Sequence, residues 1–452
     1  MPTLEVANSE QYGNAVITDQ NGASGAAGEA KAPENILNLA QTILEQTKSI
    51  DTYFRDNGLH QTTFSTAYTE PETTPQLVAL QDRLRASLED LRYLVDGPTK
   101  FYRSFFMTHY ILAAFQVALE FDFFTIVPAT GGISLTELAD KAGLDLDRTS
   151  RIVRYLVTHR LFHEPRQGFI THNAFSISMQ DKELRSVLHY SFDETMKASV
   201  DAADALKAEP YKADSLHCPF KWRHGVPIFD FYGKYPPKAD RFAKAMAAYR
   251  RMENSIVELR DYFPWGKLKG TVVDIGGGSG HVSMKLAEQF PHLHFVVQDG
   301  SADMLADGKR LLTDGIRSRI SFQQQNFFKP QPIRNAAAFL IRQCTHNWAD
   351  HDVVRMFKSV VPGLEGSASD TALLINDLVM PEPGDVPRLK ERAIREADMV
   401  MMVCFGAKQR TLAEFETLLK EADPRYEIRK VHETGALGVL EVYLMRGQSR
   451  TT

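Results

Sequence analysis

Asp274, Gly276, Gly278 and Gly280 alternate through the run DIGGGSG, and Asp299 follows nineteen residues after the last glycine. Glycine permits positive φ and lets a ligand come close to the backbone. An acid at that distance can accept hydrogen bonds from both hydroxyls of a ribose. The spacing Asp-x-Gly-x-Gly-x-Gly therefore suits a nucleotide-like ligand, although it differs from the dinucleotide pattern Gly-x-Gly-x-x-Gly. Taken alone, a glycine-rich run is equally a structural turn, with Asp299 a helix cap.

The elements around these residues argue for the ligand. TVVDI runs into the glycines and a helix follows, so the turn lies between strand and helix. Further strands are read in HLHFVVQDG, ISFQQQNFF, AAFLIRQC, TALLINDLVM, YEIRKVHE and VLEVYLMRG, with helices such as HVSMKLAEQF and DHDVVRMFKSVVPGL among them. That alternation predicts an α/β fold: a mostly parallel, Rossmann-like seven-stranded sheet with an antiparallel edge hairpin and helices on both faces. Upstream, SLTELADKAGL, DRTSRIVRYLVTHRLF and GFITHN read as a helix-turn-helix with a wing. Apolar periodicity also predicts helices over Pro33–Ile50 and Thr74–Val95, and Tyr110–Pro128 reads as a buried amphipathic helix. Residues 1–33, rich in Gly, Ala, Ser and Asn, are expected to form a disordered tail.

The chain has 452 residues, too many for one compact core. Its net charge of -5 gives no general attraction to nucleic acid or to an anionic membrane. Cys218, Cys344 and Cys404 are few and far apart, which suits reduced packing thiols in the cytoplasm. The N-terminus has neither the basic nor the apolar region of a signal peptide, and Gln116, Glu120 and Asp122 interrupt the most apolar stretch. His292 and His294 alternate on one strand without an acid or cysteine at ligand spacing, so no metal site is expected.

DIGGGSGH, QNFF, RQCTHNWAD, LLINDLVMPEPG and FGAKQRTLAEFETLL occur in an order and spacing that resemble the plant-type and fungal O-methyltransferases. These use S-adenosylmethionine (SAM) and carry a winged-helix dimerisation domain before the cofactor domain. The resemblance implies a homodimer and a division into a tail (1–33), extension helices (34–95), a winged-helix dimerisation and substrate-lid domain (96–255) and a SAM domain (256–452). For the cofactor it implies Asp274, Gly276, Gly278, Gly280, Asp299, Asn326, Phe327, Arg342 and Trp348, with Phe327 or Trp348 stacked on the purine. It also implies His346 as general base, oriented by Asp377 and by Gln409, where the family usually has Glu. An imidazole of pKa about 6.5 can take a proton from a phenol of pKa about 10 as the oxygen attacks the methyl group. An amide at 409 holds a hydrogen bond but stabilises an imidazolium less than a carboxylate does. Asn326 and Asn347 likewise stand where many relatives have Asp.

The acceptor pocket is expected between domains, lined by Phe229, Tyr232, Met246, Tyr249, Met252, Met399, Met402 and Phe405, which favours a flat aromatic acceptor. The leading expectation is methylation of a hydroxyl on a phenolic or polyketide-type secondary metabolite. A second is a SAM-binding relative that catalyses a dehydration or pericyclic step instead. A third, a winged-helix DNA-binding regulator, would use Arg148, Arg151, Arg154 and Arg160 on phosphates, against the acidic balance of the chain.

Overall fold

The computed structural model describes residues 35–253, 256–432 and 437–446, without the side chains at 247, 250–253, 257 and 258. The expected tail, 1–33, and the side chain of Met252 lie outside the described residues. The strands are β1 (Ile133–Ser134), β2 (His163–Arg166), β3 (Phe169–Thr171), β4 (Gly270–Ile275), β5 (Leu293–Asp299), β6 (Ile320–Gln324), β7 (Ala336–Arg342), β8 (Ala372–Asp377), β9 (Tyr426–His432) and β10 (Gly438–Leu444).

Two helices, Ile36–Asp56 and Pro75–Glu120, open the described chain. Asn35 and Thr74 cap them, each side chain accepting a backbone N–H three residues on, and Pro75 sits where a missing N–H costs nothing. The helix expected over Thr74–Val95 is present from Pro75. It breaks at Gly97 (φ +63), because Pro98 has no N–H to give, and then resumes to Glu120. Glu89 and Asp90 on its first half pair with Arg388 and Arg392 of the helix Arg388–Phe405. In the single chain Tyr102, Phe105, Phe106 and Tyr110 on the second half are exposed; burial of this stretch begins at Ala114 and Ala118.

The winged-helix pattern is present. Helices Leu135–Ala142 and Leu146–Thr158, capped by Ser134 and Asp145, precede a small antiparallel sheet in the order β1-β3-β2. Of the four arginines a DNA reading would aim at phosphates, Arg148 pairs with Asp145, Arg151 with Asp147 (3.5 Å) and Arg154 with Glu164 (2.9 Å). Arg160 lies over the Phe64 ring.

The large sheet has the order β6-β5-β4-β7-β8-β10-β9, parallel except for β10, which runs antiparallel to both neighbours. Its central strands are apolar on both sides because each side meets a core. On β7 and β8, Phe339, Ile341, Leu373 and Ile375 join one cluster, while Ala338, Leu340, Ala372 and Leu374 join the other. The strand order reverses at β4, the position at which open α/β sheets present a ligand crevice beyond their carboxyl ends. β4, β5, β7 and β8 all end on that edge, with Ile275 beside Gln298 and Arg342 beside Asn376. No helix among the described residues is long and apolar enough to cross a membrane.

Candidate active site

Gly276, Gly278 and Gly280 take φ of +72, +57 and +76, a region that side-chain-bearing residues rarely enter. Gly277 is excluded from carrying a side chain for another reason: a Cβ there would lie 2.6 Å from the Asp274 carboxyl. The turn thus wraps the buried Asp274, which accepts a hydrogen bond from Ser283 Oγ at 2.6 Å. Burial pushes the Asp274 carboxyl up to about 6; Ser283 and Arg342 oppose the rise and Asp299 adds to it. Asp299, at the end of β5, accepts the Gly278 N–H at 3.0 Å and the Ser301 N–H at 2.8 Å, so backbone amides fix its carboxylate against the glycine turn.

The aromatic residues pack on one another. Phe327 stands edge-on to Trp348 at 5.6 Å and Phe328 edge-on to Trp348 at 4.9 Å. Phe327 reaches the glycine turn, 3.8 Å from where a Gly276 Cβ would be. Asn326 is exposed and its side-chain oxygen accepts the Phe328 N–H at 2.9 Å, so it shapes its own turn. Arg342 donates to Asn376 Oδ1, which ties the ends of β7 and β8 together.

His346 lies on a short 3-10 turn, Thr345–Asn347, just beyond β7. Its Nδ1 is 2.5 Å from Oδ1 of Asp377, the buried last residue of β8. Asp377 also accepts from Thr345 Oγ1 (2.5 Å), His346 N (3.3 Å) and Leu378 N (3.0 Å). Burial alone would raise this carboxyl, but His346 and the hydroxyl and amide donors outweigh it and hold it below the usual range. Gln409 is buried nearby in sequence to Arg410, yet among the described residues it makes no hydrogen bond to His346. Its backbone N–H goes to Asp398 Oδ1 at 2.7 Å, and its side-chain oxygen has no partner among the described residues.

Five of the eight acceptor-pocket candidates share one cluster: Tyr232 and Phe405 within it, and Met246, Tyr249 and Met402 packed against it. Phe229 is exposed, with its ring 5.7 Å from Phe405, and Met399 is exposed. The hydroxyl of Tyr232 donates to the fully buried Glu194 at 2.7 Å. Glu194 pairs with Arg241, and its neighbour Asp193 with Lys197, Lys238 and Arg241. Both acids sit on a π-helical turn, Ser191–Thr195, which carries two adjacent residues toward one shared cation, Arg241. Two surface grooves, one including Lys48, Tyr53 and Leu80 and the other Glu120, Lys141 and Arg185, contain none of these residues.

The sequence reading singled out neither Thr345, Ser283 and Glu194 nor Arg410. Arg410 had a local signal, its place directly after Gln409 in GAKQRT; the other three have none.

A family model described as an O-methyltransferase domain matches residues 201–424, and one described as an O-methyltransferase dimerisation domain matches 104–177. O-methyltransferase sol2 of Alternaria solani is 51% identical over 419 residues, 92% of this chain and 97% of that one. The grayanic acid biosynthesis cluster O-methyltransferase of Cladonia grayi is 30% identical, over 90% of this chain and 87% of that one. Among solved structures, OxaC superposes with a TM-score of 0.72 at 20% identity, over 91% of this chain and 99% of its own. With the glycine turn, Asp299 and the His346–Asp377 pair in place, these matches establish that the chain belongs to the SAM-dependent O-methyltransferases.

Proposed function

We propose that the chain methylates a hydroxyl of a phenolic or polyketide-type secondary metabolite, with His346 as general base. The observation that carries this reading is the 2.5 Å contact between His346 Nδ1 and Asp377 Oδ1. It commits the Nδ1 proton to a buried carboxylate and leaves the lone pair on Nε2, which has no hydrogen-bond partner among the described residues. His346 accepts the proton of the acceptor hydroxyl there, and Asp377 stabilises the imidazolium that results.

The glycine turn fits the cofactor: it offers backbone edges free of Cβ atoms at the carboxyl end of β4, with the Asp299 carboxylate set against them. Asp299 would hold the ribose hydroxyls, Phe327 and Trp348 would face the purine, and Asp274, Asn326 and Arg342 would complete the cradle. When bound, SAM supplies a methyl group on a positively charged sulfur that is already a good leaving group. The residues of this chain then have to align and dehydrate the reactants, which is worth up to about 7–11 kcal/mol in well-oriented systems.

Tyr232, Met246, Tyr249, Met402 and Phe405 form the apolar wall for an aromatic acceptor. The name of the Cladonia grayi relative supports an acceptor from a biosynthetic cluster. The match to a dimerisation domain, with Phe105, Phe106 and Tyr110 exposed in the single chain, supports a homodimer formed through 96–255 ahead of a SAM domain at 256–452. Three buried free thiols suit the cytoplasm.

One observation favours the second reading, a dehydration or pericyclic step: the Gln409 amide is not bonded to His346 and supplies no carboxylate. Incubation with methyl-labelled SAM and a panel of phenolic polyketides and anthraquinones separates the two. Methyl transfer that collapses in His346→Ala establishes the base. Tight SAM binding with no methylated product transfers the assignment to the second reading.

A further inference from the structure

A 3-10 turn of three residues closes few hydrogen bonds, and these have poorer geometry than those of an α-helix. The backbone bonds within the His346 turn, Asn347 N–H to Cys344 O and Trp348 N–H to Thr345 O, are both 3.2 Å long. The chain leads into it through Gln343, a non-glycine residue at φ +45. The direction in which the imidazole points is therefore set from outside the turn, and two buried charges do so. Asp377 takes the donors of the turn. Arg410 takes its carbonyls.

We propose that Arg410 is a positioning residue for His346, a role that rests on the assignment of His346 as the working base. Arg410 is 1% exposed. Its Nη1 donates to Thr345 O at 2.9 Å and its Nη2 to Trp348 O at 2.7 Å, the carbonyls on either side of His346 and Asn347. Its Nε and Nη2 also donate to Asp350 Oδ1 at 3.0 and 2.8 Å, at the start of the helix that follows the turn. A planar guanidinium with five donors reaches two carbonyls and a carboxylate at once; an ammonium group in that place cannot. The mounting of Arg410 is equally informative. Its backbone carbonyl accepts the Met380 N–H at 2.8 Å and it bridges Val379, two residues beyond Asp377. Both charges that grip the turn are thus fixed to the continuation of β8, and their mutual spacing does not depend on the turn.

The test reads the imidazole itself. Protein with 15N-labelled histidine and bound S-adenosylhomocysteine is compared as wild type, Arg410→Lys and His346→Ala, the last assigning the signal. In the wild type, long-range 1H–15N spectra should show His346 as a single tautomer protonated on Nδ1. In Arg410→Lys the signal should broaden or divide between tautomers, while SAM affinity by calorimetry stays within about twofold and turnover of any acceptor falls by about 10²-fold. If Arg410→Lys does not fold, Asp350→Asn, at a half-exposed carboxylate that loosens the guanidinium without removing it, should broaden the same signal. A His346 spectrum identical to wild type in every variant that folds overturns the proposal. Because this readout needs no acceptor, altered tautomers in a protein that methylates nothing would uphold the positioning role and refute methyl transfer.

Discussion

Asp377 and Asp274 are both buried carboxylates, and their surroundings push them in opposite directions. Asp377 collects four donors and stays charged, so Asp377→Asn should retain SAM binding yet lose about 10²–10⁴-fold in methyl transfer, checked by calorimetry beside a labelled-SAM assay. Asp274 has one side-chain donor and rises to about 6. Well below pH 4 it is protonated whether the chain is folded or not. Between about pH 4 and 6 the unfolded chain releases the proton while the folded chain still holds it, so the folded state loses about 3 kcal/mol from this group as pH rises through that window. Urea denaturation should therefore find Asp274→Asn gaining on wild type between about pH 4 and 6, with the gain level above pH 7, while its SAM affinity is weaker. At this scale the glycines, Asp299 and His346 were legible because each belongs to a short local pattern. Arg410 reaches Thr345 across 65 residues, and Glu194 meets Tyr232 across 38, and spacing along a chain carries no trace of such contacts.

Among the elements, the central strands were readable because a strand buried on both faces is a bare apolar run, as in ALLIND. The end of the first segment of Pro75–Glu120 was readable too, because Gly97 and Pro98 end a helix by local rules; that a second segment resumes directly after the kink and runs to Glu120 was not. The π-helical turn at Ser191–Thr195 had no signal, since no residue type marks an i to i+5 bond. It nonetheless creates a strong dependence. Arg241→Met strips the fully buried Glu194 of its cation and should destabilise the protein by about 3–5 kcal/mol in urea titrations. Adding Glu194→Gln should recover part of that loss. The capping box at Thr411, in which its hydroxyl accepts the Glu414 N–H and the Glu414 carboxylate accepts the Thr411 N–H, predicts a smaller cost of about 1 kcal/mol for Thr411→Ala.

For the whole molecule, the exposed row Tyr102, Phe105, Phe106 and Tyr110 is more apolar than one chain should present to water. Replacing Phe105 and Phe106 with Ser should convert a dimer to a monomer in light scattering, with the secondary structure retained by circular dichroism. The order of domains was legible from the winged-helix pattern and the glycine turn, but the docking of the helix Pro75–Glu120 against the C-terminal domain was not. Glu89 and Asp90 find Arg392 and Arg388 about 300 residues later in the chain. During synthesis at about 5–20 residues per second, the acids would wait some 15–60 s for their partners to emerge. Over that interval Glu89 and Asp90 have been made and the surface they finally clasp has not. Were the row Tyr102–Tyr110 the contact between two copies, neighbouring nascent chains on one message would hold it before either has its own C-terminal half, and assembly would precede the closing of the fold.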